Sequence, residues 1–238
     1  VGPDLSCPKG EGVPAAGGQN QVQRVLFKDF KWVGDGNFKR LGAPFGSTEY
    51  GTTHTRKRKS KAVNLLKAIS GLPDAQAALL LTRHCASFCK LSFSARTVPP
   101  EAHRAALAEF SVDLRSALED ILRTELPDRC WQLAQLGITH SGLGLRDALQ
   151  HAPAAYLASL LNTKGLCKAI DAGFDELDAD GGLSQTCVVE KLRSRVLEAA
   201  NGEPTRRRSQ KYFSKLIDAA SRQAFIDSQG NDCLFQAH

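Results

Sequence analysis

From Val63 to the C-terminus the apolar residues fall three and four apart, in one segment after another. That spacing places them on one face of an α-helix and does not match the two-residue alternation of a strand. Val63, Leu65, Leu66, Ile69 and Leu72 mark a first helix, ended near Gly71 and Pro73. Asp74 stands where it can cap a second, with Ala77, Leu80, Leu81, His84, Phe88 and Leu91 on one face. Pro99-Pro100 opens a third, with Leu107, Phe110, Leu114, Ala117, Leu118 and Ile121 inward, and Pro127 stops it. A short helix from Asp128 holds Trp131. After Gly142 and Gly144 the chain restarts at Asp147 or near Pro153, and "PAAYLASLL" is small and apolar enough for close helix packing. Two more helices are expected, over 185–200 with Val188, Val189, Leu192 and Val196, and over 209–228 with Phe213, Leu216, Ile217, Ala220 and Ala224. Each helix is amphipathic and needs a partner for its apolar face, so the expected fold is mainly α, a helical bundle.

The N-terminal quarter has a different pattern. Residues 1–22 are rich in Gly, Pro and Gln without periodicity, and are expected to be loop or disorder. Residues 23–45 alternate weakly through Val25, Phe27, Phe30, Trp32 and Val33, then Phe38 and Leu41, around the turn signal "VGDGNF". A short β-hairpin is the expected form. Residues 46–60 are polar and basic and read as a linker. The expected organisation is thus 1–22 loop, 23–60 hairpin and basic linker, 61–162 a helical domain and 163–238 a further helical region.

Charge is placed unevenly. Val1 through Lys67 holds twelve Lys/Arg against five Asp/Glu, a net of +7, whereas the rest holds 19 against 20. The positive excess therefore lies in one part of the chain, which points to an edge facing a polyanion. The run Arg56-Lys57-Arg58-Lys59 could equally be a solvated basic stretch or a nuclear address. No stretch approaches the ~18–20 consecutive apolar residues of a membrane span. The opening residues have no apolar core of the signal-peptide kind. Seven scattered cysteines argue against a disulfide framework and for a reducing, intracellular setting. A chain that opens on Val and contains no Met reads as a piece of a longer protein.

The search for catalytic constellations is mostly negative. Cys85 and Cys89 lie one helical turn apart beside His84, a spacing that could share a metal. No second ligand pair accompanies them, so buried structural cysteines are the better account and no metal is expected in this chain. Glu176 to Cys187 has the outline of a calcium loop, with Asp178, Asp180, Gly181 and Leu183 in register. Its twelfth position is Cys187, which supplies no bidentate carboxylate. There is no phosphate loop ending in Gly-Lys-Ser/Thr, no Gly-x-Ser-x-Gly elbow and no Asp-Asp pair, and the six histidines are dispersed.

The stretch "FKRLGAPFGS" (38–47) carries a resemblance. It is similar to the phenylalanine-lysine-x-leucine-glycine-x-proline-x-glycine hairpin of non-long-terminal-repeat (LINE-like) retrotransposon reverse transcriptases. In that family the hairpin ends the catalytic palm and forms the primer grip, and the helices of the thumb follow. The similarity continues in "LLLTRHCASFCKLSFSARTVPP" (79–100) and "GLGLRDALQHAPAAYLASL" (142–160), and more faintly in "SQKYFSKLIDA" (209–219). Ser141 departs from the Gly that is more usual there. The resemblance implies a fragment of an RNA-directed DNA polymerase: a palm-end hairpin, a thumb-like bundle and a downstream helical region, holding an RNA–DNA template–primer. Such polymerases hold two divalent metals, Mg in the parent, on palm carboxylates of an aromatic-x-Asp-Asp turn. That turn would lie upstream of Val1, in the missing palm and fingers, so this chain alone is expected to be inactive. Lys28, Lys31, Lys39 and Arg40 would meet primer phosphates, and Gly42 would let backbone approach closely. Arg56, Lys57, Arg58, Lys59 and Lys61 would extend the track, with Arg146 a further candidate. Two readings compete: a non-enzymatic helical interaction module with a solvated basic linker, and a calcium-responsive helical protein built on Glu176 to Cys187.

Overall fold

The computed structural model describes residues 11–12, 31–32, 36–170, 194 and 209–228. The protein is mainly helical, with a short antiparallel hairpin ahead of the helices. Strands β1 (Glu11–Gly12) and β2 (Lys31–Trp32) form a parallel pair. Strands β3 (Phe38–Arg40) and β4 (Ala43–Phe45) form the hairpin. The helices are α1 (Thr48–Ser70), α2 (Ala75–Leu81), α3 (Ser92–Thr97), α4 (Arg104–Leu122), α5 (Asp128–Gln135), α6 (Ala148–Ile170) and α7 (Gln210–Ser228). The expected helix over 185–200 and the calcium loop at Glu176 to Cys187 lie outside the described residues.

The hairpin turns later than its sequence suggests. Leu41 and Gly42 join β3 to β4, pairing Arg40 with Ala43 and Phe38 with Phe45. Both turn residues have positive φ, 50° and 87°, the sign pattern of a two-residue type I′ turn. The stronger signal "GDGN" is therefore not this hairpin's turn, and its expected first strand lies almost wholly outside the described residues. Phe38 and Phe45 stack across the pair, with ring centroids 5.2 Å apart.

The expected linker at 46–60 is helix from Thr48 onward. Ser47 begins it: in extended conformation, its hydroxyl accepts from the Tyr50 N–H at 3.2 Å. The inner stripe of α1 is Gly51, Thr55, Ala62, Leu66 and Ile69. Its first half is made of small residues, which is why a search for large apolar spacings starts the helix too late. A Cβ on Gly51 would stand 3.3 Å from Val98 Cγ1, so the small residue permits close approach to the segment after α3.

Asp74 caps α2 as expected, accepting from Gln76 and Ala77 N–H at 2.9 and 3.1 Å. The expected continuous helix beyond it breaks into a π-helical turn (Thr82–Ala86) and a 3-10 turn (Phe88–Lys90). Phe88 and Leu91, past the π-helical turn, are buried as expected, but the inward face before them is not the expected one. Leu80 and Leu81 are exposed, while Ala78, Thr82 and Ala86 are buried. Cys85 and Cys89, expected to be buried, are exposed. On α4 the expected residues Leu107, Phe110, Leu114, Ala117, Leu118 and Ile121 are all buried.

Asp147 holds the start of α6, accepting from the Leu149 N–H and the Ser111 hydroxyl. Pro153 sits inside the helix near its start. The alanines of α6 serve two cores. Ala148, Ala152 and Ala155 join the main cluster with α1 and α4, and Ala154, Leu157 and Ala158 pack with Phe213 and Ile217 of α7.

Between α1 and α4, at the end of a 3-10 turn (Pro100–His103), lies a fully buried histidine. The Thr55 hydroxyl donates to Gly51 C=O at 3.1 Å, leaving a lone pair for His103 Nδ1–H at 3.0 Å. The opposite nitrogen, Nε2, is buried without a partner. A proton there would be an unpaired buried charge, and burial holds the imidazole down to about 4. The unfolded chain, with its His near 6.5, binds the proton that the folded chain refuses. Stability from this site is complete above about pH 6.5 and is lost as pH falls toward 4, by about 3 kcal/mol. Urea melts between pH 7 and 4 should show the loss, and His103→Asn, which keeps an amide donor, should flatten the profile by up to one proton. An unchanged slope in the variant would remove His103 as its source.

Candidate nucleic-acid interface

A helix separates neighbouring residues by about 100°, so the four cations of Arg56-Lys57-Arg58-Lys59 cannot share one face. Arg56 and Lys59 turn toward α4. Arg56 Nη2 meets Glu109 Oε1 at 2.8 Å, and Lys59 Nζ meets Glu109 Oε2 and Asp113 Oδ2, each at 3.0 Å. The hydrogen bonds from Arg56 and Lys59 hold the Glu109 carboxyl below its ordinary range. These two cations are neutralised by their partners, and the expected track does not run through them.

His54, Lys57, Arg58 and Lys61 fall at i, i+3, i+4 and i+7, on the stripe beside the hairpin. Arg58 is the pivot. Its guanidinium carbon lies 4.6 Å from the centre of the Phe93 ring on α3, a cation–π contact that leaves the charge intact. A Cβ built on Gly42 would meet the Phe93 ring at 3.6 Å and Arg58 Nη2 at 3.7 Å. The turn of the hairpin, the middle of α1 and the face of α3 thus converge on Phe93. Lys39 and Arg40 are exposed on β3 next to this point, and Lys57 and Lys61 are exposed on α1. None of Lys39, Arg40, Lys57 and Lys61 has an ion-pair partner among the described residues.

His54 reports the local field. Burial first, then the charges of Arg58, Lys39 and Lys57, push its imidazole below the ordinary value, against a hydrogen bond with the Gly42 backbone. Three cations from two elements therefore act on one ring. Lys28 lies outside the described residues. Lys31 belongs to β2, and its side chain is not described.

Arg146 is engaged elsewhere. It grips Asp218 of α7 with two nitrogens, Nε to Oδ1 at 3.2 Å and Nη2 to Oδ2 at 2.5 Å. His151 Nε2 stands 3.3 Å from Oδ1 of the same carboxylate, and both His151 and Asp218 are buried. Burial works to raise the Asp218 carboxyl, but hydrogen bonds from His151 and Arg146 outweigh it and hold the group below its ordinary range. Here Arg146 joins α6's approach to α7 rather than lining the hairpin.

Sequence reasoning did not find His54 and Phe93. His54 had a local signal, since it stands one turn before Lys57 and Arg58. Phe93 had none, because only the tertiary packing of α3 brings it under Gly42 and Arg58. No family model, no curated protein and no solved structure matches this chain.

Two substitutions separate structure from contact. Removing Arg146 leaves a buried carboxylate short of its main donor, so Arg146→Ala should cost about 2–3 kcal/mol in urea unfolding. Binding of nucleic acid by the folded fraction should remain at the wild-type level, and a pure binding defect without lost stability would refute this assignment. Leu41 is 95% exposed with φ 50°, a conformation that favours Asn or Gly over Leu. Leu41→Asn should raise stability by up to about 1 kcal/mol, read as a higher urea midpoint with unchanged slope. A lower midpoint would show that Leu41 has a packing role.

Proposed function

We propose that this chain is the nucleic-acid-holding part of an RNA-directed DNA polymerase like those of non-long-terminal-repeat retrotransposons. On this reading β3–β4 is the end of the palm, the helices that follow are the thumb, and the ligand is an RNA–DNA template–primer. The observation that carries the reading is the gathering of Lys39, Lys57 and Arg58 about His54 and the Gly42 turn, with Arg40 flanking that turn in β3 and Lys61 one helical turn beyond Lys57. Cations on a rim suit phosphates of either strand and read no sequence.

The chain acts by positioning. Nucleotide addition would need Mg ions on a set of palm carboxylates. Among the described residues no three His, Cys, Asp or Glu side chains gather into a metal-binding group, and the sequence has no Asp-Asp pair. The residues present do not fit that metal pair, and no chemical step is derived for them.

The alternative of a solvated basic linker fares worse on one particular. The basic run is helical, and two of its cations are held by carboxylates of α4. What stays exposed is a one-sided stripe rather than a flexible tether.

Binding of a labelled RNA–DNA primer–template, followed by anisotropy across a salt series, tests the proposal. About four neutralised phosphates predict a slope of log K on log salt of roughly −3 to −4. Lys39→Ala with Arg40→Ala should bring the slope about 2 closer to zero. Indifference to duplex, or a slope that these two changes leave untouched, would reject the proposal.

A further inference from the structure

The cationic stripe does not end at Phe93. Arg96 stands three residues further on α3, one turn along the same side, and is exposed. Its guanidinium donates through Nε and Nη2 to the side-chain oxygen of Gln210, at 2.8 and 2.6 Å. Gln210 opens α7, more than a hundred residues later in the chain. The partner is an amide, so the contact fixes Arg96 in place without neutralising it, unlike the carboxylates that hold Arg56 and Lys59. Lys211 and Lys215 follow at i+1 and i+5 of Gln210, four apart and both exposed, on one face of α7.

The surroundings hold little opposing charge. Between Asp74 and Glu101 the chain has no carboxylate, but has Arg83, Lys90 and Arg96. From Gln210 through Ile217 there is none either, and Asp218, the next, is buried against Arg146 and His151. Neither Lys211 nor Lys215 has an ion-pair partner among the described residues. Evenly scattered surface lysines would have acids interleaved with them in sequence, whereas residues 75–100 and 210–217 have none.

From these contacts we infer that the nucleic-acid surface extends past the hairpin, across α3 at Arg96 and onto α7 at Lys211 and Lys215. The inference rests on the proposed function and deepens it. The occupant is the same duplex, gripped a second time further along its backbone, and α7 is part of the holding surface rather than an appendage. A ligand long enough to reach both places gains the extra phosphate contacts, and a short one does not.

The test uses the whole chain with a short and a long RNA–DNA duplex, measured by anisotropy over a salt series. Arg96→Gln/Lys211→Ala/Lys215→Ala should bring the salt slope on the long duplex about 2–3 closer to zero, and leave the short duplex unaffected. Lys67→Ala, an exposed cation on another face of α1, controls for net charge and should leave both slopes in place. All these residues are exposed, and an unchanged urea midpoint verifies the fold of each variant. If Lys39→Ala/Arg40→Ala weakens binding while the triple variant at Arg96, Lys211 and Lys215 does not, the extension is wrong and the proposed function stands. An equal loss from Lys67→Ala would reduce the effect to net charge and also overturn the extension. Failure of the unaltered chain to bind either duplex would sink both.

Discussion

Everything about the charged surface depends on the rotational setting of α1. That setting comes from close packing of small residues. Gly51 lies against Val98, and Thr55 lies against the buried His103. Neither leaves room for the helix to roll, because an added methyl group or a lost hydrogen bond would be felt at once. With the inner stripe fixed, the pitch of the helix decides the rest. Arg56 and Lys59 face the carboxylates of α4, and Lys57, Arg58 and Lys61 face the hairpin. Turning α1 by one residue would part Arg56 and Lys59 from their carboxylates on α4 and carry Arg58 away from Phe93.

That dependence explains what the sequence could and could not disclose. Large apolar residues at helical spacing were legible wherever they supply the core: α4 is buried at every expected position, and the Asp74 cap is where the pattern puts it. The first half of α1 was not legible, because Gly51 and Thr55 bury by being small and so leave no hydrophobic period. The π-helical turn at Thr82–Ala86 was also hidden, although Phe88 and Leu91 beyond it are buried as expected. The basic run was visible as composition but not as geometry. Its division between two faces follows from the helix, and its contact with Phe93 follows from α3, thirty-odd residues away in the chain. Periodicity sees neighbours along the chain, while the candidate site is an agreement among β3–β4, α1 and α3.

The second core follows a related logic. α6 is lined by alanines on two sides, so it can lie between the main cluster and α7 with short distances to each. Small side chains supply proximity but little apolar area, and polar contacts add specificity. Asp218 on α7 is taken up by Arg146 and His151, and the Ser221 hydroxyl donates to Gln150 at 3.1 Å. A buried carboxylate is an inefficient source of stability, since its dehydration offsets much of what its partners return. It does select one register, because a shifted α7 would leave Asp218 charged and alone. A fixed register also fixes which side of α7 presents Lys211 and Lys215.

The exposed ion pairs at Arg56 and Lys59 contribute little to stability, since such pairs are worth at most about 1 kcal/mol. Their consequence is in the shape of the field. Two cations and the carboxylates of Glu109 and Asp113 cancel on the α4 flank, whereas Lys39, Arg40, Lys57, Arg58 and Lys61 on the other flank have no ion-pair partner among the described residues. Charges closer than a Debye length of about 8 Å act together on an approaching polyanion. A helix with all its cations free would attract a duplex equally from several directions. Cancelling one flank leaves a single direction of approach, toward the hairpin turn at Leu41-Gly42. On the proposed reading the acidic residues of α4 shape the recognition surface without meeting the nucleic acid: they determine where the positive field ends.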